Sequence, residues 1–419
     1  MMSKRALQSA RIKKNWKKYL NEEILNRHFG ISHSAKLSDV HFFSNIQIGI
    51  PCFLEFIDET KKLNRIFWWF DSLEKGTDIL TNPQNLMKII LHAQKESQTD
   101  FSLLGSLPFR QIDKIERLPT DATNLQFVIL AEQKKYLLKR YTRLSSNTTE
   151  FYLGKTLAKH NIFPNIHALL SVHTSSFQQP FLLFSDLISS PQNLDELSGQ
   201  TYVRMLSGEM PFSSGKSQLM EYVKEAGRTL AQFHRTVQNH PLLPQDRNKL
   251  KQSLEDNLKH QLDSLPKGTC PSNQDTLRDW LETFESLPDS HLGIIHADVW
   301  WRQFVRSNST YNILDLEDAR FGTYAYDLGA FANSLLQQNR YFRNEFVQTF
   351  SNHFETLAEE LFLIFLETYQ QYSKIILNPE EIDWARQIRA LHELCYLLAH
   401  FPNREWLKNC LLKEILKWR

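Results

Sequence analysis

Residues 293–330, GIIHADVWWRQFVRSNSTYNILDLEDARFGTYAYDLGA, constrain this chain more than any other stretch. Two short apolar runs, GIIH and NIL, each lead directly into acidic side chains, Asp298 after the first and Asp315 with Glu317 after the second. The 17-residue step from Asp298 to Asp315 suits a loop, a strand, a turn and a returning strand. Two strands side by side bring Asp298, Gln303 and Asp315 to one end. Phosphoryl transfer needs that grouping, with one carboxylate to orient the attacking hydroxyl and take its proton, and oxygen ligands for a Mg2+ ion that bridges phosphates. Asp298 fits the first role. Gln303 and Asp315 fit the second, with Glu317 or Asp318 in reserve. Taken alone, His296-x-Asp298 also describes a hydrogen-bonded loop turn, so its weight depends on what else the chain holds.

The rest of the chain supplies a context for it. From Arg110 to about Leu187 the sequence is β-rich, interrupted by one helix beginning near Asn147. FVILAEQKKYLLKRY, residues 127–141, reads as two strands around a charged turn, and FLLFSDL, residues 181–187, as a third buried strand. Beyond it the pattern is helical apart from the segment above, which gives an α+β, two-lobed arrangement. Lys139 ends an apolar strand, where a cation on a buried stem can pair phosphates, and Glu150 opens the next helix, where it can hold that lysine. An edge-strand lysine and a capping box between Asn147 and Glu150 are the structural alternatives.

Ahead of this block, HFFSNIQIGIPCFLEFID and NRIFWWFDSL flank a charged ETKKLN turn and read as a strand hairpin in a separate α/β module. The expected division is 1–105 for that module, 106–187 for a small β-rich lobe and 188–419 for a helical lobe. Residues 4–18 carry seven basic side chains, which suit a solvated first helix, or a basic amphipathic one for nucleic acid or a membrane surface.

Composition narrows the partners. The net charge of +2 gives no whole-chain signal for nucleic acid, and no apolar run approaches the roughly 20 residues of a membrane span. Four dispersed cysteines suit free thiols in a reducing compartment, and no signal-peptide pattern opens the chain, so a cytoplasmic protein is expected. Glycine is scarce, 13 in 419 residues against an average usage of about 7%.

In motif order the chain resembles the aminoglycoside phosphotransferase and choline kinase family of protein-kinase-like enzymes. That family's H-G-D-x-x-x-x-N, its I-D-x-[EGD] and its small-Pro-x-Y-D-L-A look like HADVWWRQ, NILDLED and GTYAYDLGA here, and AGRTLAQFH at residues 226–234 resembles its G-x-x-L-A-x-L-H helix. The resemblance covers roughly residues 110–340. It implies a protein-kinase-like two-lobed fold, with Asp298 as base, Gln303 and Asp315 as Mg2+ ligands, Lys139 as the phosphate-pairing cation and Glu150 as its partner. It further implies that backbone groups of Ser185 and Leu187 meet the nucleotide base, while Asp327 and His296 brace the catalytic loop. ATP and Mg2+ are the implied cofactors and a small-molecule hydroxyl the acceptor.

Three departures stand out. Gln303 replaces the usual asparagine, as in the maltokinase-like and glucosamine-kinase-like branches, which favours a sugar or amino sugar. The loop RLPTDATNLQF, residues 117–127, has no glycine, leaving backbone amides and the hydroxyls of Thr120 and Thr123 to meet phosphates, with Asn124 beside them. Ala297 stands where the family has glycine. Trp300 and Trp301 suit either a stacking wall or the core. Glu345, Glu355, Glu359 and Glu360 suit a solvated helix face or an amine-binding one. The rival readings are a protein kinase or nucleotidylating enzyme acting on a partner protein, and a pseudokinase binding module.

Overall fold

The computed structural model describes residues 36–42, 50–57, 63–70, 82–95, 101–118, 124–141, 147–173, 178–188, 191–241, 246–265, 273–307, 310–345, 356–400 and 405–415. The basic stretch at 4–18 and the hydroxyls of Thr120 and Thr123 lie outside the described residues. Two compact units emerge, Met1–Phe151 with Pro164–Leu187, and Tyr152–Phe163 with Ile188–Arg419.

In the first unit, β1 (Lys36–Phe42), β2 (Ile50–Ile57) and β3 (Leu63–Phe70) form an antiparallel sheet in chain order. The β2–β3 pairing runs from Ile50↔Phe70 to Ile57↔Leu63, a hairpin on either side of the charged turn sequence. The helix α1 (Pro83–Lys95) and the strands β4 (Phe101–Gly105), β5 (Lys114–Arg117), β6 (Leu125–Ala131) and β7 (Lys134–Arg140) follow. After them come α2 (Asn147–Ala158), whose residues from Tyr152 on belong to the second unit, β8 (Ile166–His173) and β9 (Gln178–Asp186).

A six-stranded antiparallel sheet has the order β4-β8-β9-β7-β6-β5. Side chains alternate across a strand, so Phe127, Ile129, Leu138 and Phe184 share one face, and they are fully buried there in a cluster with Leu86, Ile89 and Ile90 of α1. Lys139, one residue on from Leu138, points to the other face. The β6–β7 turn closes on two residues, Glu132 and Gln133, both at positive φ (51° and 64°), the left-handed geometry that matches the twist of a two-residue hairpin. Its conformation is pinned from outside, because Glu132 N donates to Asp113 Oδ2 and Glu132 Oε1 accepts from Arg110 N.

The second unit is mostly helical. It holds β10 (Gln192–Asn193), α3 (Leu194–Leu206), α4 (Phe212–Val237), α5 (Arg247–Ser264), α6 (Asn273–Ser286) and four short strands, β11 (Leu292–Ile295), β12 (Phe304–Ser307), β13 (Thr310–Ile313) and β14 (Arg320–Thr323). The helices α7 (Tyr324–Glu345), α8 (Leu357–Ser373), α9 (Pro379–His400) and α10 (Glu405–Ile415) complete it. Apolar side chains recur at helical spacing along α4, from Leu219 through Val223, Ala226 and Leu230 to Phe233 and Val237, and all are buried. Gly227 lets α8 approach, since a β-carbon there would lie 2.7 Å from the Phe365 carbonyl oxygen. Trp280 Nε1 donates to Gln387 Oε1 and Trp384 Nε1 to the Trp280 carbonyl, fixing α6 against α9.

Among the described residues no helix is long and apolar enough to cross a membrane.

Candidate active site

The two short strands expected around residues 293–330 are four. β11 pairs with β14 and β12 with β13, both antiparallel. The loop between β11 and β12 carries His296, Asp298 and Trp300, and Trp301–Gln303 form a single 3-10 turn. Phe304↔Ile313 opens the β12–β13 pairing, so Gln303 and Asp315, just outside it, fall at one end of the hairpin. The hydrogen bond from Leu314 N to the Gln303 carbonyl extends the ladder to that end.

The loop is held mainly by one buried carboxylate. Asp327, in the first turn of α7, accepts from His296 N through Oδ2 (2.7 Å) and from Ala297 N through Oδ1 (2.8 Å). Its Oδ2 also meets His234 Nε2 at 2.9 Å, and His234 Nδ1 lies 2.8 Å from the Tyr369 hydroxyl. Burial pushes the His234 pKa down, and the imidazole is neutral. A carboxylate only accepts, so Nε2 carries the proton and Nδ1 accepts from Tyr369. Burial pushes Asp327 up, but the hydrogen bonds from His234 and from the His296 backbone outweigh it and hold the carboxyl below its usual value. His296 Nε2 in turn donates to the Leu314 carbonyl (2.7 Å), tying the loop to the strand that delivers Asp315.

Ala297 has φ of 68°, a left-handed conformation that costs an L-residue roughly 1–2 kcal/mol. The Asp327 contact and the hydrogen bond from Arg389 Nη1 to the Ala297 carbonyl (3.1 Å) hold it there. Asp315 also lies in the left-handed region, at φ 67° and ψ 64°.

Asp298 is the part-exposed carboxylate of this loop, its side chain 28% accessible. Its Oδ1 accepts from Trp300 Nε1 (2.8 Å) and from Arg389 Nη2 (2.9 Å). Among the described residues its Oδ2 has one long contact, 3.5 Å from Gln303 Nε2. The two tryptophans therefore divide their roles. Trp301 is buried against Phe331, with ring centroids 5.2 Å apart, whereas Trp300 is half-buried and bonded to Asp298.

Gln303 is buried, and with its amide nitrogen turned to Asp298 its carbonyl oxygen is the atom it offers elsewhere. The carboxylate oxygens of Asp315 and Glu317 lie within 4.8 Å of each other, while Asp318 ends the 3-10 turn with its side chain exposed. An amide oxygen and carboxylates form a hard donor set that fits Mg2+.

Arg389 and Glu393 are absent from the sequence reading. Both are buried on α9, joined by an Arg389 Nε to Glu393 Oε1 bond of 2.9 Å, and Glu393 Oε2 also accepts from Gln337. Burial pushes the Glu393 carboxyl up to about 7 against the opposing pull of Arg389. Next to them His392 is exposed, and its Nδ1 accepts from Gln261 Nε2. The i, i+4 spacing of Arg389 and Glu393 on α9 is that of any solvated ion pair, so the sequence carries no signal that sets them apart. The acids proposed for an amine are occupied, Glu359 with Arg386 (2.8 Å) and Glu360 with Lys216. Glu355 and the side chain of Glu345 lie outside the described residues.

In the first unit, Lys139 Nζ lies 2.9 Å from Glu150 Oε2, which also accepts from the Tyr141 hydroxyl at 2.5 Å. The pair is buried, at 8% and 4% side-chain accessibility. β7 sits between β9 and β6, so Lys139 is on an interior strand. Asn124 is buried just before β6. Ser185 is registered between Leu137 and Ile166 within the ladder, and Leu187 follows the end of β9.

A sheet unit with a buried Lys–Glu pair, followed by a helical unit with a braced H-x-D loop and acidic hairpin end, defines a kinase-like phosphotransferase. The chain belongs to the phosphotransferase enzyme family, whose model matches residues 114–360. Among solved structures it is similar to a glucosamine kinase in complex with glucosamine, ADP and inorganic phosphate, at TM-score 0.60 and 12% identity over 96% of this chain and 100% of that one. Another crystal form of glucosamine kinase gives TM-score 0.59 and 13% identity over 91% and 94%. At that identity the likeness establishes the kinase-like fold. No curated protein matches the sequence.

Proposed function

We propose that this phosphotransferase moves the γ-phosphoryl group of ATP to a hydroxyl of a sugar or amino sugar, with Asp298 as the base. The observation that carries this reading is the Asp298 carboxylate, part-exposed on a loop that buried Asp327 braces, next to the hairpin end bearing Gln303 and Asp315. The acceptor oxygen attacks the γ-phosphorus as its proton passes to Asp298. The new O–P bond forms while the bond to the β-phosphate bridging oxygen breaks, and that electron pair leaves with ADP.

Gln303 and Asp315, with Glu317 beside them, would hold Mg2+, which when bound neutralises charge on the phosphates. Lys139, fixed by Glu150 and Tyr141, would pair phosphates as a point charge. Leu187, past the strand end, is better placed than Ser185 to offer backbone groups to the nucleotide base. Positioning and charge neutralisation supply the catalysis, with no covalent enzyme intermediate. The sugar assignment is supported by Gln303 followed by DLE, and by the glucosamine named for the structural relative.

The test is incubation with γ-labelled ATP and Mg2+ and a panel of sugars, amino sugars, amino alcohols and aminoglycosides. Label in a sugar or amino sugar is expected. Label in another panel member changes the acceptor class, label in protein alone points to a protein kinase, and absence of Mg-ATP binding contradicts a catalytic role.

A further inference from the structure

Arg389 lies 91 residues beyond Asp298 in the chain, outside the matched family segment, yet its guanidinium meets the catalytic loop with every nitrogen engaged. Nη2 donates to Asp298 Oδ1 (2.9 Å), Nη1 to the Ala297 carbonyl (3.1 Å) and to the Tyr326 hydroxyl (3.4 Å), and Nε to Glu393 (2.9 Å). Its central carbon stands 5.7 Å from the ring centroids of both Trp300 and Tyr326. A planar fork so occupied has one orientation, which a lysine ammonium cannot reproduce.

We propose that Arg389 is a positioning residue for the base: with Trp300 it fixes Asp298 Oδ1, so that Oδ2 is the oxygen that takes the acceptor's proton, and Glu393 holds the guanidinium in place. The two oxygens of Asp298 are unequal, since Oδ1 has two short charge-assisted or indole donors and Oδ2 only the 3.5 Å contact to Gln303 among the described residues. Arg389 itself is 5% accessible at its side chain, so it acts through Asp298 and not on the acceptor. The guanidinium charge faces the Asp298 carboxylate on one side and the Glu393 carboxyl on the other. This inference rests on the reading of Asp298 as the base.

The test compares Asp298→Asn, Arg389→Ala, Arg389→Lys and Trp300→Phe in the full chain. Initial rates of γ-labelled ATP consumption are measured with Mg2+ and glucosamine, and in a second arm with water as the only acceptor. Arg389→Ala is expected to lower kcat about 100-fold, the effect of a roughly 1 Å misplacement, with KM for Mg-ATP within about threefold of the parent. Millimolar guanidinium ion should restore at least tenfold of it, which a loss of fold alone would not allow. Arg389→Lys should remain well below the parent, and Trp300→Phe should fall less than Arg389→Ala. Should Arg389→Ala fail to fold, Arg389→Lys and Trp300→Phe decide. Parent-level kcat in folded Arg389 variants while Asp298→Asn is inactive overturns the positioning role alone. Full turnover by Asp298→Asn, or none by the parent in either arm, overturns the base assignment and this proposal with it.

Discussion

Gly329 lies so close to Ala385 that a β-carbon on it would stand 2.7 Å from the Ala385 carbonyl carbon. This contact sets the separation of α7 from α9, and Asn333 Nδ2 donating to the Arg386 carbonyl (3.0 Å) repeats the tie one turn on. α7 carries Asp327 and α9 carries Arg389, so the two ends of the loop's support are gauged by one glycine. Gly329→Val should push the helices apart, costing about 1–3 kcal/mol by overpacking. Urea melts measure that cost, and kcat should fall more than KM for Mg-ATP rises.

Asp327 serves three donors with two oxygens, and an amide cannot. Asp327→Asn leaves a buried N–H without an acceptor, at about 1–3 kcal/mol. The parent's acid response follows the same pair. The folded pKa values of His234 and Asp327 lie below their ordinary 6.5 and 3.8, so the unfolded chain binds the extra protons. Their contribution is complete above pH 6.5 and declines as pH falls, first through His234 and then through Asp327. A plot of the parent's stability minus that of His234→Asn should drop below pH 6.5; a flat difference contradicts it.

Glu393 predicts the opposite slope. Its folded pKa of about 7 lies above the ordinary 4.5, so the folded chain holds the proton longer and stability declines as pH rises from 4.5 to 7. Glu393→Gln removes that titration. The parent should lose about 1–3 kcal/mol relative to this variant across the window, read from paired denaturant curves.

Lys139→Met leaves the Glu150 carboxylate with Tyr141 as its remaining partner and removes the phosphate-pairing cation. kcat/KM for Mg-ATP should fall on the order of 100-fold or more, while the acceptor's KM changes little. Steady-state kinetics with each substrate varied in turn separates the two.

Ala297→Gly relieves the left-handed strain at φ 68° and should raise stability by about 0.5–1 kcal/mol with activity retained. A thermal melt measures the gain, and a lower melting temperature contradicts it.

The sheet hairpin at 127–141 and the catalytic segment were legible because local periodicity and turn chemistry dictate them. The Asp298–Asp315 spacing suits the β12–β13 hairpin, and the apolar runs GIIH and NIL fall in β11 and β13, which leaves β14 without a local signal. The five-residue β4 was less visible, since a short strand owes its existence to the partner that pairs with it. Arg389 was invisible for a different reason. On α9 an arginine and a glutamate four apart look like any solvated pair, and only the approach at Gly329 buries them against Asp298.

The most direct test of the account is the rate at which labelled γ-phosphate appears in the acceptor with Asp298→Asn beside the parent chain, at saturating Mg-ATP. With Asp298 as a positioned general base, kcat falls about 100-fold or more, with nucleotide binding unchanged by calorimetry. An Asp298→Asn variant that transfers phosphate at the parent's rate would contradict it.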